Sequence, residues 1–120
     1  MKKILVVEDD SALALNMAAF LKLAGYEVRH AVDGMAAVEA ARKFRPDLIL
    51  LDALIPKVDG FEVCRLLRAD EKTKDVKIIM VTGLGQMGDV EKALSCGASD
   101  YLIKPFDQDR LLKKIEKALL

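Results

Sequence analysis

Five short runs, Ile4–Val7, Val28–Ala31, Leu48–Leu51, Ile78–Val81 and Tyr101–Ile103, punctuate the chain, and the segments between them carry apolar residues at helical spacing. Most of these runs are continuous rather than alternating in hydrophobicity, which suits strands covered on both faces, as in a parallel sheet. Five strands alternating with five helices predict an α/β architecture with right-handed crossovers: a doubly wound five-stranded parallel sheet. Local signals agree. Ser11 is placed to cap a first helix with core positions Leu13, Met17, Phe20, Leu21 and Ala24, stopped by Gly25. Asp59 and Glu62 read as a capping box opening a third helix, Gly97 closes the fourth, and Asp107 caps the last.

In doubly wound sheets the functional crevice lies beyond the carboxyl ends of the strands. Four runs end in chemistry-bearing residues: Glu8-Asp9-Asp10 after the first, Asp52 after the third, Thr82 after the fourth, and Lys104-Pro105 after the fifth. Gathered at one edge, Glu8, Asp9 and Asp52 offer the oxygen ligands that Mg²⁺ prefers, and Mn²⁺ can substitute for it. Asp52, ending a central strand with Ala53 beside it, is the natural nucleophile for forming an acyl phosphate. Lys104 offers a countercharge and Thr82 a hydroxyl donor, so the parts that phosphoryl transfer requires are all present. Taken singly, each feature also has a plain structural reading. The acidic triplet fits a solvated strand end or a helix N-terminal turn, Lys104-Pro105 a simple turn, and Tyr101 an ordinary core aromatic. The order of all of them at strand ends favours the chemical reading.

Composition narrows the field. A 120-residue chain, 52% hydrophobic and 32% charged, is expected to fold as one domain spanning residues 1–120. Nineteen basic residues balance nineteen acidic ones, so no net field favours nucleic acid or an anionic membrane, and direct binding to either is not expected. The apolar stretch before Glu8 is too short for a signal-peptide core, which suggests a cytoplasmic protein. Cys64 and Cys96 lack metal or redox spacing and read as small buried hydrophobes. Met35, Met80 and Met87 read as packing residues, Asp70–Lys77 as a solvated loop, and His30 as a polar residue closing the second strand.

The chain resembles the receiver domains of two-component response regulators, chemotaxis regulators among them. The resemblance is carried by Ile4-Leu5-Val6-Val7-Glu8-Asp9-Asp10, Asp47-Leu48-Ile49-Leu50-Leu51-Asp52, Pro56, Asp59-Gly60, Val81-Thr82, Gly97-Ala98, Tyr101 and Lys104-Pro105-Phe106. It implies a flavodoxin-like fold with strand order 2-1-3-4-5 and a phosphoacceptor role in a phosphorelay, not a conventional enzyme. By the same resemblance Asp52 takes phosphoryl from the phosphohistidine of a sensor histidine kinase or phosphotransfer protein. Asp9 and Asp52 ligate Mg²⁺, Glu8 assists through water, and Leu54 offers its backbone carbonyl. Thr82, Lys104 and Tyr101 read the new charge and remodel the face formed by helix 4, strand 5 and helix 5 for a downstream effector or effector domain. The Lys104-Pro105 peptide bond is expected to be cis. Departures are informative too: Thr82 is followed by Gly83-Leu84-Gly85, and apolar Leu54 and Leu84 beside the site predict slow autodephosphorylation.

Helix 1 carries Ala14, Leu15, Ala18 and Ala19, with Lys22 as its only charge from Ser11 to Ala24. Leu15, Ala18 and Lys22 therefore form a candidate docking stripe for the phosphodonor, although alanines also simply favour helix. Competing classes fit less well. A haloacid-dehalogenase-type phosphatase would have an acid two residues after the nucleophile, where Leu54 stands. A flavin carrier or nucleotide-binding protein would need a phosphate cradle in the first loop, which the acidic triplet would repel. Two settings stay open. A stand-alone relay protein is favoured over a receiver removed from a longer regulator with a DNA-binding or enzymatic effector, and a phosphorylation-independent binding module is the remaining alternative.

Overall fold

The computed structural model describes residues 1–53, 55, 59–83 and 87–120, with the side chains of 87–90 left aside. Strands and helices alternate throughout: β1 (Lys3–Val7), α1 (Ser11–Leu23), β2 (Glu27–Ala31), α2 (Gly34–Phe44), β3 (Leu48–Asp52), α3 (Gly60–Ala69), β4 (Lys77–Thr82), α4 (Met87–Ser95), β5 (Asp100–Ile103) and α5 (Gln108–Ala118). All four strand pairings are parallel, and the sheet order is β2-β1-β3-β4-β5. The flavodoxin-like topology expected from the sequence is therefore observed.

Alternate residues of each strand feed opposite sides of the sheet. Leu5, Val7, Ile49, Leu51, Ile78 and Met80 pack with residues of α2, α3 and α4, including Ala41, Phe44, Cys64, Leu67 and Ala93. Ile4, Val6, Leu48, Leu50, Ile79 and Leu102 pack with Met17 and Leu21 of α1 and Leu111 and Ile115 of α5. Both faces are covered, which accounts for the continuous apolar runs. The exception is the edge strand β2, whose Glu27, Arg29 and His30 are exposed.

Several local expectations need correction. Asp10, not Ser11, caps α1: it adopts extended backbone and its carboxylate accepts from the Leu13 amide at 3.2 Å. The aspartate reaches N3 because the helix begins at Ser11 itself. Ala24 is not core but the exposed C-cap, and Ala14 takes the buried place beside Met17 and Leu21. Gly25 follows with φ +102°, the left-handed turn that ends the helix. Asp59 caps α3 through the Glu62 amide at 2.9 Å, but the Glu62 carboxylate pairs with Arg65 rather than completing a capping box. Asp107 caps α5 through the Arg110 amide at 2.7 Å. Met35 is exposed rather than packed, whereas Met80 is fully buried, and the Met87 side chain lies outside the described residues.

The segment after α3 is more than a solvated loop. Thr73 is buried and its hydroxyl donates to the Leu67 carbonyl at 2.6 Å. The Arg68 guanidinium donates to the carbonyls of Lys74 and Val76 and, across the α4–β5 turn, to that of Gly97 at 2.8 Å. Cys64 and Cys96 are both buried and unbridged, and the Cys64 thiol donates to the Cys96 carbonyl at 3.3 Å. Burial, followed by the neighbouring Cys96, pushes the Cys64 thiol up to about 12, so it is chemically quiet.

Candidate phosphoacceptor and metal site

The carboxyl ends of β1, β3, β4 and β5 converge because the strands are parallel and in near register. Val7 lies opposite Leu51, Asp52 opposite Val81, and Thr82 opposite Ile103. Pairing carries β3 and β4 one residue past their apolar runs, so Asp52 and Thr82 are themselves strand residues. Their backbones are held beyond the ladder as well: the Ala53 amide donates to the Val81 carbonyl at 2.9 Å, and the Lys104 amide to the Thr82 carbonyl at 2.8 Å. Gly60, at the start of α3, donates to the Ala53 carbonyl at 3.0 Å. A Cβ on Gly60 would stand 2.5 Å from the Asp52 carbonyl oxygen, so only glycine lets the helix approach that strand end.

Glu8 and Asp52 are buried, with 4% and 6% of their surface exposed, while Asp9 is open to solvent. One carboxylate oxygen from each of the three lies within 4.8 Å of those of the other two. Lys104 Nζ reaches into this cluster, 3.0 Å from Asp52 Oδ2 and 3.4 Å from Glu8 Oε1. Burial, reinforced by a hydrogen bond to Asp52, raises the Glu8 carboxyl from its ordinary 4.5 to about 7. Burial alone would lower the Lys104 ammonium, but the carboxylates of Asp52 and Glu8 outweigh it and the net direction is upward.

Thr82 is 2% exposed, and its Oγ1 is buried with no hydrogen-bond partner among the described residues. A buried hydroxyl without a partner is costly unless the site presents one in another state. Tyr101, opposite Met80 in the β4–β5 pair, is half-buried. Lys114 Nζ lies 4.8 Å from the Tyr101 ring centroid and pairs with Asp100 at 2.9 Å. The Lys104–Pro105 peptide bond is cis. Leu54, Pro56, Leu84 and Gly85 lie outside the described residues, and with them the assigned roles of Leu54 and Leu84.

The donor set fits a hard divalent cation. It is all oxygen, it concentrates carboxylates beyond what one lysine neutralises, and its most buried member keeps its proton until about pH 7. Elsewhere the predicted residues divide. On α1, Leu15 is 69% exposed and Lys22 is exposed, while Ala18 is half-buried. His30, read from sequence as a plain strand end, instead places Nε2 2.7 Å from the Glu8 carbonyl oxygen. The only signal that would have found this contact is the β1–β2 register, which sets Val6 beside His30.

A family model for the response regulator receiver domain matches residues 4–116. The chain is 46% identical over 120 residues to the DNA-binding dual master transcriptional regulator RpaA of Synechocystis, covering all of this chain and 49% of that protein. It is 40% identical to the DNA-binding response regulator MtrA of Mycobacterium tuberculosis, covering 98% of this chain and 50% of MtrA. The chain thus spans about half the length of the curated relatives it matches. Among solved structures it resembles the chemotaxis response regulator CheY4 of Vibrio cholerae, with TM-score 0.93, 34% identity and 99% of both chains covered. The receiver domain of the Pseudomonas aeruginosa sensor histidine kinase PA1611, solved with magnesium coordinated in its active-site cleft, gives TM-score 0.90 at 36% identity, covering 98% of this chain and 97% of that one. Fold, strand-end constellation and sequence agree, and the chain belongs to the response regulator receiver domain family.

Proposed function

We propose that this receiver is an aspartyl phosphoacceptor in which Asp52 accepts a phosphoryl group from a kinase phosphohistidine. The observation that carries this reading is the pair of buried carboxylates, Glu8 and Asp52, met by the half-buried Lys104 ammonium beside exposed Asp9. An Asp52 carboxylate oxygen attacks phosphorus, the O–P bond forms as the N–P bond breaks, and the departing imidazole keeps the electron pair and takes up a proton. Glu8, Asp9 and Asp52 would hold Mg²⁺, together with the Leu54 carbonyl by family resemblance; when bound, the cation offsets the carboxylate charge that would otherwise repel the phosphoryl group.

Lys104, which neutralises Asp52 in the resting state, exchanges that partner for a phosphoryl oxygen. Thr82 gains a phosphoryl acceptor for the buried hydroxyl that has no partner among the described residues. That exchange draws β4 and β5 toward the new charge, and Tyr101 carries the change to the α4–β5–α5 face, where a downstream effector reads it. The DNA-binding regulators it resembles favour a setting as the receiver of a longer, cytoplasmic transcription regulator over the stand-alone relay. Leu15, Ala18 and Lys22 dock the phosphodonor.

Incubation with acetyl phosphate and Mg²⁺, read by intact mass, tests the chemistry. One added phosphoryl group, lost when a chelator replaces the metal, is the expected result, and no addition to the folded protein would count against it. In the same assay Leu15→Asp should leave acetyl phosphate labelling unchanged while slowing transfer from a phosphohistidine kinase. Equal slowing of both reactions would remove the docking role.

A further inference from the structure

We propose that His30 is a positioning residue for the metal-binding turn, fixing the peptide plane that joins Glu8 to Asp9. The inference rests on the reading of Glu8, Asp9 and Asp52 as Mg²⁺ ligands. The last ladder bond between β1 and the sheet edge runs from the Glu8 amide to the Ala31 carbonyl at 3.1 Å. One atom group further along, the His30 ring meets the Glu8 carbonyl oxygen at 2.7 Å. A carbonyl can only accept, so Nε2 carries the hydrogen, and the ring donates whether neutral or charged.

The consequence is geometric. The Glu8 carbonyl belongs to the peptide unit linking two carboxylate-bearing residues, so holding it fixes ψ of Glu8 and φ of Asp9 together. The amide on the other side of Glu8 is already held by Ala31, and the Glu8 side chain is tied back to the Asp10 amide at 3.2 Å. Neighbouring edge-strand positions offer nothing equivalent, since Glu27 and Arg29 pair with Lys3 and Leu5, farther from the turn. Because Mg²⁺ demands near-octahedral oxygen placement, freedom in this peptide plane should be felt as lost affinity. Groups that orient ligands from behind typically matter about 10- to 100-fold, and one acting through the backbone belongs at or below the lower end. His30 is itself exposed, so its replacement opens no core cavity.

The test is calorimetric titration of the full chain with Mg²⁺ at constant pH and ionic strength, using wild type, His30→Phe and His30→Gln. His30→Phe keeps a ring but no donor, and His30→Gln restores an N–H. The expected result is a Kd raised about three- to tenfold in His30→Phe and returned to within about twofold of wild type in His30→Gln. Thermal melting of the metal-free proteins separates this from general destabilisation, which would lower the melting temperature without changing the Kd of the folded fraction. A Kd for His30→Phe equal to that of wild type overturns the positioning role and leaves the metal site standing. Failure of wild type to bind Mg²⁺ overturns the metal reading, and this inference with it.

Discussion

Glu8 and Asp52 show how one residue's environment sets its chemistry. Both carboxylates are buried side by side, and Glu8, the more buried, holds its proton up to about pH 7 in the metal-free protein. The unfolded chain releases that proton near 4.5, so between these values the folded state binds more protons than the unfolded one. Stability of the metal-free protein therefore falls as pH rises through this window. Chemical denaturation in chelator, from about pH 5 to about pH 8, should show this slope in wild type and a flatter profile in Glu8→Gln. Identical profiles would contradict the assignment. At this scale the sequence was legible where a polar side chain interrupts an apolar run, as at Asp52, Thr82 and Lys104. It was silent where the partner is a backbone atom: His30 meets a carbonyl 22 positions earlier, and no residue type marks that acceptor.

At the scale of elements, helix N-termini decide where side chains are delivered. Asp10, Asp33, Asp59 and Asp107 each cap a helix, and each accepts an amide near the start of that helix. Asp10 thus leaves the acidic triplet to serve α1, while Glu8 and Asp9 face the site. Reading Ser11 as the cap failed because serine and aspartate cap equally well, and only the backbone start of the helix chooses between neighbours. The α3 start is placed by Gly60, which packs directly on the Asp52 carbonyl. Gly60→Ala would set a methyl group 2.5 Å from that oxygen and 2.7 Å from Ala53 Cα, both backbone atoms of a buried strand end. We expect a loss of about 1–3 kcal/mol in equilibrium unfolding. A wild-type denaturation midpoint would show that α3 can shift without cost.

Across the whole molecule, the doubly wound order places five strand ends on one rim, and the reactive groups come from four of them. The topology was legible because parallel strands covered on both faces need continuous apolar runs, and the two cores observed on opposite sides of the sheet meet that need. The exposed edge strand β2 carries no such run, so its contribution to the site became visible only in three dimensions. The strand that leads to Lys104 also contacts α5, since Tyr101 and Asp100 of β5 both meet Lys114. On this reading Asp52, and no other carboxylate of the cluster, carries the phosphoryl group. Borohydride reduction of the protein after acetyl phosphate and Mg²⁺ treatment converts an aspartyl phosphate to homoserine, and peptide mass mapping locates it. Homoserine is expected at position 52, absent in Asp52→Ala and absent without metal. Homoserine at position 9, or undiminished labelling of Asp52→Ala, would contradict it.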